Sequence, residues 1–578
     1  MRNKKQKIWV LAVACMALSA HALQRSENEM QAIAAEHLYG TLAKGNGGQG
    51  MKPDKLMEND MVAAYGDRYN GTVFVSRDAM FAPVLGYTDR PLDMERVPDG
   101  LQWWMRTISA TMQQKIQDND LRTILKAQAQ DVDPMLTTRW AQDTPYNDLC
   151  PVADSYYQRR AQTGCVATAM AQIMNYHEYP VQGHGTGYYT MQGSSSKKNV
   201  RIKSTYDWPN MKDTYTSTAS KDETTDAVAT LMYDCGLASH MAYALQGSGA
   251  TSPNAAAGLA HHFDYDSLAL HCMFRVLDNN ERWLQTIYDE MNAGRPVEYL
   301  STDGNYGAHA FVIDGCRASD GYLHVNWGWS GDADGYYDFY NLNPRTAMQV
   351  AYGMNGFDFS SDAASQSMLT GIMPPDGEEK PYISYWGMSE EESIEVADNT
   401  ILLHLPAIFN YHFLTFKGLV GLCIENVETH RSPIYPFYYT DRGEAPVPSL
   451  SGWEPMDLTY GEQVINSLED GDYDLYLMSW YSTDIGKYDP QYVRFPDLND
   501  GNENYNKWRM TKHGGELTIQ KTKVPLAQEE LPTSLSHVQC DAAQPYLQQS
   551  FDLQGRPLSA DTPVKGIRIV NGKKIINK

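Results

Sequence analysis

The feature that most constrains this chain is one cysteine at the start of a helical segment. Cys165 lies in the sequence Gln-Thr-Gly-Cys-Val-Ala-Thr-Ala-Met-Ala-Gln-Ile-Met, where a small-residue turn leads into a run rich in alanine and methionine. A thiol at a helix N-terminus lies at the positive end of the helix dipole, which lowers its pKa and favours the thiolate. The sequence therefore predicts a helix that begins at Cys165 and carries a nucleophilic thiol.

Two later segments supply the groups that a nucleophilic thiol needs. His309 begins an apolar stretch that ends at Gly315, and Asn326 and Trp327 lie in a second strand-like stretch. His309 follows Cys165 by 144 residues, within the range of about 130–150 residues typical of one class of catalytic Cys/His pairs. The order Cys, His, Asn predicts a thiol hydrolase. In it, Asn326 accepts a hydrogen bond from the imidazole, and Trp327 shields that bond or orients the ring itself.

These segments closely resemble the streptopain family of secreted cysteine peptidases, over roughly residues 25–375. The resemblance rests on Gly-Cys-Val-Ala-Thr-Ala-Met-Ala-Gln-Ile-Met-Asn-Tyr-His at 164–177, His-Ala-Phe-Val-Ile-Asp-Gly at 309–315 and His-Val-Asn-Trp-Gly-Trp at 324–329. Ala308 and Ser330 stand where the family pattern has glycine, beside the catalytic residues. The resemblance implies a papain-like two-lobed fold, synthesis as an inactive precursor, and hydrolysis of peptide bonds in proteins or peptides.

The resemblance also implies an oxyanion-hole donor. Gln142, in Gln-Asp-Thr-Pro-Tyr-Asn, matches the glutamine of a family segment, with Asp143 where glycine is usual. It would act beside the backbone amide of Cys165, because a tetrahedral oxyanion needs two donors. An ordinary surface glutamine is the alternative.

The chain is too long for a single core, since about 150 residues per domain predicts three or four domains in 578 residues. We predict an α+β protein in which a papain-like two-lobed catalytic domain follows an α+β propeptide and precedes β domains. The predicted boundaries are 1–22 for a signal peptide, 23–126 for an inhibitory propeptide, 127–375 for the catalytic domain, 381–523 for an immunoglobulin-like β-sandwich and 540–578 for a short C-terminal β domain.

The N-terminal segment has its own helix and strand signals. Ser26 and Glu29 form a capping box before a helical pattern, residues 72–76 and 82–87 are strand- and turn-like, and a second helix begins near Leu101. The order resembles the propeptide of streptopain-like precursors, which would act as an intramolecular inhibitor. The polar stretch 126–133 is then a processing site. A free-standing N-terminal domain is the alternative.

Both ends of the chain indicate export to the medium or a bacterial cell surface. Basic residues, an apolar stretch from Ile8 to Leu18 and Ala-His-Ala at 20–22 are typical of a signal peptide. Cys15 raises a lipoprotein signal as an alternative, which Ala12 disfavours. The tail resembles the sorting domains recognised by type IX secretion machinery, with two predicted strands at 551–558 and 565–574. An ordinary terminal hairpin is the alternative.

The net charge limits which partners we expect, and the cysteine count limits the disulfide bonds. The formal net charge of −24 argues against nucleic acid. Seven cysteines remain after residue 22, an odd and sparse set that fits one reactive thiol among buried, reduced side chains, although pairing cannot be read from spacing.

No cofactor or metal is predicted. His177 and His184 are interpreted as structural, and His261 to Asp266 as a solvated turn rather than a metal site. The stretch 332–335 matches only part of a calcium loop.

Two other functions remain open at this point. A papain-fold acyltransferase or transglutaminase would use the same triad to transfer an acyl group to an amine. A catalytically silent binding protein would use the β-sandwich as its working module. The long propeptide-like segment favours the peptidase, and the joint presence of Cys165, His309, Asn326 and Gln142 argues against the binding protein.

Overall fold

The chain divides into two compact units, of which the first ends at Gly377 and the second begins at Glu378. The predicted boundaries at 375 and 381 lie beside this division, whereas segments 23–126 and 127–375 belong to the same unit. The computed structural model describes residues 24–40, 51–117, 130–275, 280–303, 307–339, 366–378, 380, 386–388, 393–397, 399–410, 412–429, 434–439, 445–449, 451–483, 487–492, 504–525, 550–551, 557–558, 566–570 and 573–577. The predicted signal peptide, the stretch 118–129 and Cys540 lie outside these ranges.

The described residues of the N-terminal segment form two helices and four strands. Helix α1 (Glu27–Tyr39) begins with the predicted capping box, in which the side chain of Ser26 and that of Glu29 each accept the other's backbone N–H. The predicted strand at 72–76 and the predicted helix from Leu101 are confirmed. The remaining elements are β1 (Asp54–Glu58), β2 (Val62–Asp67), β3 (Gly71–Ser76), β4 (Val84–Thr88) and α2 (Asp99–Gln117).

One ten-stranded sheet runs through the first unit, in the order β1-β2-β3-β4-β14-β13-β12-β11-β15-β10. Its later strands are β10 (His271–Phe274), β11 (Val297–Asp303), β12 (Gly307–Arg317), β13 (Tyr322–Asn326), β14 (Gly335–Tyr337) and β15 (Gln366–Thr370). The N-terminal strands join it where β4 pairs antiparallel with β14, with Tyr87 opposite Tyr336. The N-terminal segment therefore extends the sheet that carries His309 and Asn326.

Helix α2 packs firmly on this sheet. Leu101, Trp104, Ile108 and Met112 recur at helical spacing and are fully buried. They belong to one apolar core with Phe311, Trp327 and other side chains of the catalytic segment. Because each large apolar side chain stabilises by roughly 1.5–3 kcal/mol when buried, this helix is a substantial part of the core.

The described residues of the first unit also form four further α-helices, a short 3-10 helix (Trp208–Asn210) and two small sheets. The helices are α3 (Cys165–His177), α4 (Glu223–Ala238), α5 (Ser252–His262) and α6 (Asn280–Asn292). The small sheets contain β5 (Val152–Asp154) with β6 (Arg159–Arg160), and β7 (Thr186–Met191) with β8 (Lys198–Arg201) and β9 (Ala242–Tyr243). Cys165 thus lies at the start of a helix, whereas His309 and Asn326 lie in the ten-stranded sheet.

The second unit is β-rich, as predicted, but between residues 386 and 525 its described strands form three sheets rather than the two of an immunoglobulin-type sandwich. The β-rich stretches 401–405, 473–480 and 516–520 of the sequence lie in strands, and the stretch that begins at Phe413 becomes a strand only from Gly418. The elements are β16 (Trp386–Met388), β17 (Ser393–Ala397), β18 (Thr400–Leu405), β19 (Ile408–Asn410), β20 (Gly418–Asn426), β21 (Ile434–Tyr439), β22 (Gly452–Trp453), β23 (Met456–Tyr460), α7 (Glu462–Ser467), β24 (Gly471–Thr483), β25 (Lys487–Tyr492), β26 (Asn504–His513) and β27 (Glu516–Pro525).

The tail contains four short strands where the sequence predicted two. They are β28 (Ser550–Phe551), β29 (Pro557–Leu558), β30 (Gly566–Val570) and β31 (Lys573–Asn577), in the order β29-β28-β30-β31. The second predicted strand, 565–574, covers β30 and the beginning of β31, which pair with each other antiparallel.

Two properties of the described residues bear on location and redox state. No helix among them is long and apolar enough to cross a membrane. The six described cysteines are free thiols, five buried and Cys165 partly exposed.

Candidate active site

Helix α3 begins at Cys165, as the sequence predicts. The turn before it requires glycine, because Gly164 has a φ of 90° and a Cβ there would lie 2.7 Å from the Met241 side chain. The carbonyl of Gly164 accepts the Thr168 N–H at 3.0 Å, which closes the first helical turn. Cys165 is thereby fixed at the N-terminus of a buried helix.

The predicted lowering of the Cys165 pKa is wrong for this form of the protein. Burial of the thiol raises its pKa and outweighs the lowering effect of backbone N–H groups at Ala310 and Val166. The Glu298 carboxyl raises it slightly further. The helix terminus acts as predicted, but desolvation of the sulfur is the larger effect. Cys165 is therefore a neutral thiol here.

His309 lies on the other side of its strand, against helix α2. Its Nε2–H donates to the carbonyl oxygen of Trp327 at 2.9 Å. A Cβ placed on Gly100, in the first turn of α2, would lie 2.6 Å from His309 Cδ2 and 2.3 Å from Trp327 Cε3. Burial lowers the pKa of His309, with smaller opposing contributions from the Trp327 carbonyl and Asp99. The imidazole is thus neutral and covered by the N-terminal segment.

Among the described residues no hydrogen bond joins Cys165 to His309, whose Nε2 is instead bonded to the Trp327 carbonyl. Alternation along β12 explains this, because successive side chains point to opposite faces of a sheet. Ala310 presents its backbone to the Cys165 thiol, whereas His309 and Phe311 face the core shared with α2. The Cys165 thiol therefore lies beside the strand that carries His309, but no hydrogen bond joins the two side chains.

Asn326 also lacks its predicted contact with His309. Its Oδ1 accepts the side-chain N–H of Gln172 at 3.1 Å and the backbone N–H of Gly328 at 3.0 Å, and its Nδ2 donates to Thr138 O at 2.8 Å. These three hydrogen bonds use both acceptor positions of Oδ1 and one N–H of Nδ2. Sequence reasoning missed Gln172, although it lies seven residues after Cys165, two turns along the same helix face.

Trp327 is fully buried and is held by a loop that sequence reasoning treated only as a partial calcium motif. Its backbone N–H donates to Asp334 Oδ1 at 2.9 Å, and its indole N–H donates to Ala333 O at 3.0 Å. Ser330 and Ala333 have positive φ values of 60° and 61°. Backbone strain of this kind persists only where surrounding contacts over-determine it. Asp334 thus positions the residue whose carbonyl holds His309.

Gln142 lies beside the nucleophile turn. Its carbonyl accepts the Thr163 N–H at 3.1 Å, two residues before Cys165, and its side chain is largely buried. The structure therefore brings together the two segments that the sequence assigned to the oxyanion hole.

Three of the histidines weighed in the sequence analysis each lie within hydrogen-bond distance of a backbone or carboxylate oxygen. His177 Nε2 lies 3.0 Å from Ile372 O, His184 Nε2 lies 2.8 Å from Asp264 Oδ1, and His262 Nδ1 lies 2.8 Å from His184 O. Among the described residues there is no group of three or more His, Cys, Asp or Glu side chains that could hold a metal ion.

Comparison with known proteins identifies the family. The model of the Peptidase C10 family matches residues 140–337. Streptopain of Streptococcus pyogenes is 31% identical over 325 residues, which cover 53% of this chain and 78% of streptopain. The chain belongs to the Peptidase C10 family of cysteine-type peptidases.

Two further proteins are similar. The thiol protease/hemagglutinin PrtT of Porphyromonas gingivalis is 32% identical over 379 residues, 61% of this chain. The chain spans only 41% of PrtT. A prointerpain A fragment of Prevotella intermedia is 32% identical, covers 56% of this chain and 99% of its own, and has a TM-score of 0.47.

Proposed function

We propose that this chain is the latent precursor of an exported cysteine endopeptidase. Cys165 is the nucleophile, His309 the general acid and base, and the side chain of Gln142 with the Cys165 amide the oxyanion hole. Residues up to about 126 are the inhibitory propeptide. The observation that carries the proposal is the close contact of helix α2 with His309, whose ring is hydrogen-bonded to the Trp327 carbonyl rather than to the thiol.

The protonation states of Cys165 and His309, as well as their positions, would keep the precursor inactive. A neutral thiol and a neutral imidazole that are not hydrogen-bonded to each other cannot provide the thiolate–imidazolium pair. Once α2 leaves, Gly100 no longer covers the His309 ring, and a rearrangement of the first residues of β12 would bring the ring to the face on which Cys165 lies. The imidazolium would then lower the pKa of the thiol.

The assembled site would cleave a peptide bond in two steps. The Cys165 thiolate attacks the carbonyl carbon, and the carbonyl electron pair moves to an oxygen that accepts hydrogen bonds from Gln142 and the Cys165 amide. The C–N bond breaks as the His309 imidazolium gives its proton to the leaving amine. A water molecule, deprotonated by His309, then attacks the thioester and releases the carboxylic acid and the thiolate.

Asn326 and Trp327 take framework roles in this proposal. Asn326 ties helix α3, through Gln172, to strand β13, so that the helix that carries Cys165 is held against the sheet. Trp327 supplies the carbonyl that holds His309 in the latent form. The hydrogen bond from His309 to Asn326 predicted from sequence would require Asn326 to give up one of its present partners.

The test compares purified full-length precursors. Cys165→Ala and His309→Ala should each abolish self-processing and casein hydrolysis, because residues that act as a unit are lost together. Cys235→Ala, which removes another thiol, is the matched control and should mature normally. Mass spectrometry should locate the cleavage of the wild-type chain near Lys126. Self-processing by Cys165→Ala, or mature specific activity in an uncleaved chain, would contradict the proposal.

Export is proposed from the two ends of the sequence. Residues 1–22 would direct the chain out of the cytoplasm, and residues 540–578 would be read by type IX secretion machinery. Deletion of 540–578 in a bacterium with that machinery should retain the protein in the cell envelope with its peptidase activity intact. Unchanged release of the truncated protein into the medium would show that residues 540–578 are not a sorting signal.

A further inference from the structure

The hairpin before the nucleophile presents two adjacent aromatic side chains to solvent. Strands β5 and β6 pair with Val152 opposite Arg160 and Asp154 opposite Arg159. We call residues 155–158 at its end the tyrosine tip. Tyr156 is 84% exposed and Tyr157 is 69% exposed. Neither ring therefore contributes much to the core.

The tyrosine tip is held in one shape by its own hydrogen bonds. Asp154 Oδ1 accepts the backbone N–H groups of Tyr156 at 3.0 Å and Tyr157 at 3.1 Å, and Asp154 Oδ2 accepts from Arg159 at 2.6 Å. The two rings meet edge to face, with centroids 4.6 Å apart, and the Arg159 guanidinium lies 5.5 Å from the Tyr157 centroid. A preordered surface loses little conformational entropy when it binds.

The base of the hairpin is tied to the catalytic turn. Ala161 N–H donates to Pro151 O at 2.9 Å, and Asn147 Nδ2 donates to Ala161 O at 3.0 Å. Thr163, two residues further on, donates to Gln142, and Cys165 follows. Tyr157 lies eight residues before Cys165, so the chain between them spans at most about 30 Å. A substrate polypeptide that leaves the cleft needs only a comparable number of residues to reach the tip.

We propose that the tyrosine tip is an exosite that binds a stretch of the protein substrate outside the catalytic cleft. Tyrosine and arginine dominate the energetics of protein–protein contacts, because they offer a large rigid face with a polar edge. Since Arg159 is already paired with Asp154, the tip is suited to apolar side chains and peptide groups rather than to acidic segments. This inference rests on the peptidase function proposed above.

The test separates long substrates from short ones. The double variant Tyr156→Ala/Tyr157→Ala, expressed as the full chain and allowed to mature, should lose about tenfold in kcat/KM on casein, mainly through KM. Its kcat/KM on a short fluorogenic peptide should stay within about twofold of wild type, because such a peptide fills only the cleft. Rates are normalised to active sites titrated by alkylation of Cys165.

Two further variants sharpen the result. Tyr156→Phe/Tyr157→Phe keeps the rings and should retain most of the casein activity. Val181→Ala, which truncates a side chain that is 73% exposed beyond the end of helix α3, should change the activity on neither substrate. Unaltered casein kinetics in the alanine double variant would overturn the exosite, and so would an equal loss on both substrates. A wild-type chain inactive on both would instead refute the peptidase function itself.

Discussion

The stability of this protein should fall as pH rises because of one buried carboxyl group. Glu298 on β11 is 1% exposed, and neither of its carboxyl oxygens has a hydrogen-bond partner within the described part of the chain. It lies opposite Val312 on β12 and Leu369 on β15. Burial raises its pKa from 4.5 to about 8. The carboxyl is thus neutral when folded at neutral pH but ionised when unfolded.

The magnitude follows from the linkage between protonation and folding. A pKa higher in the folded state contributes stability that is fully present below pH 4.5 and is lost as pH rises to about 8. The difference of about 3.5 pKa units corresponds to at most about 5 kcal/mol, at 1.36 kcal/mol per unit. Glu298→Gln cannot ionise, so it should not lose this stability. Its buried amide would instead carry a pH-independent penalty of about 1–3 kcal/mol.

The assay is denaturant unfolding of the full chain in a Cys165→Ala background, from pH 4.5 to 8.5, followed by tryptophan fluorescence. The free energy of unfolding of Glu298→Gln, minus that of its parent, should rise by several kcal/mol across this range. Burial also raises the pKa of Asp334 to about 7, but both proteins contain it and its contribution cancels. The exposed Glu178→Gln is the control and should run parallel to its parent. Parallel curves for Glu298→Gln as well would refute the reasoning.

The remaining predictions concern the site and its cover. Gly100→Leu should clash with His309 and Trp327 and displace α2, because overpacking of this kind costs about 1–3 kcal/mol. The uncleaved precursor of this variant should therefore hydrolyse a peptide at least about tenfold faster than the wild-type precursor. Gln142→Ala should lower kcat of the matured enzyme by about 10²–10³-fold with KM little changed, and an effect confined to KM would make it a substrate-binding residue. Asp334→Ala should lower the free energy of thermal unfolding by about 1–3 kcal/mol, because it leaves the Trp327 N–H unpaired. Asp334→Asn keeps an acceptor and should cost less. Equal losses for the two variants would contradict the role of Asp334 as the partner of the Trp327 N–H.

Local sequence signals were sufficient for much of the fold. The capping box at Ser26, the helix that begins at Cys165 and the strand at 72–76 depend on residues within a few positions of one another. The association of Gln142 with the nucleophile turn was implied by family resemblance and agrees with its bond to Thr163. These features could be predicted because they do not depend on how distant strands align.

The state of the site could not be predicted, because it depends on non-local packing. The face on which His309 lies follows from strand alternation and from the close approach of Gly100, 209 residues earlier in the chain. The direction of the Cys165 pKa shift depends on how deeply the thiol is enclosed, which no sequence window reports. The partners of Asn326 follow from the packing of α3 against β13, which brings Gln172 to its amide.

The reactivity of Cys165 before and after removal of the N-terminal segment tests the central claim most directly. The rate of alkylation by iodoacetamide is measured against pH for the uncleaved wild-type precursor and for the matured enzyme. Mass spectrometry assigns the label to Cys165. Latency predicts that the precursor thiol reacts only at alkaline pH, while the mature thiol reacts near neutrality at least about a hundredfold faster, as a thiolate paired with imidazolium. Identical rates and identical pH midpoints for the two forms would contradict the account.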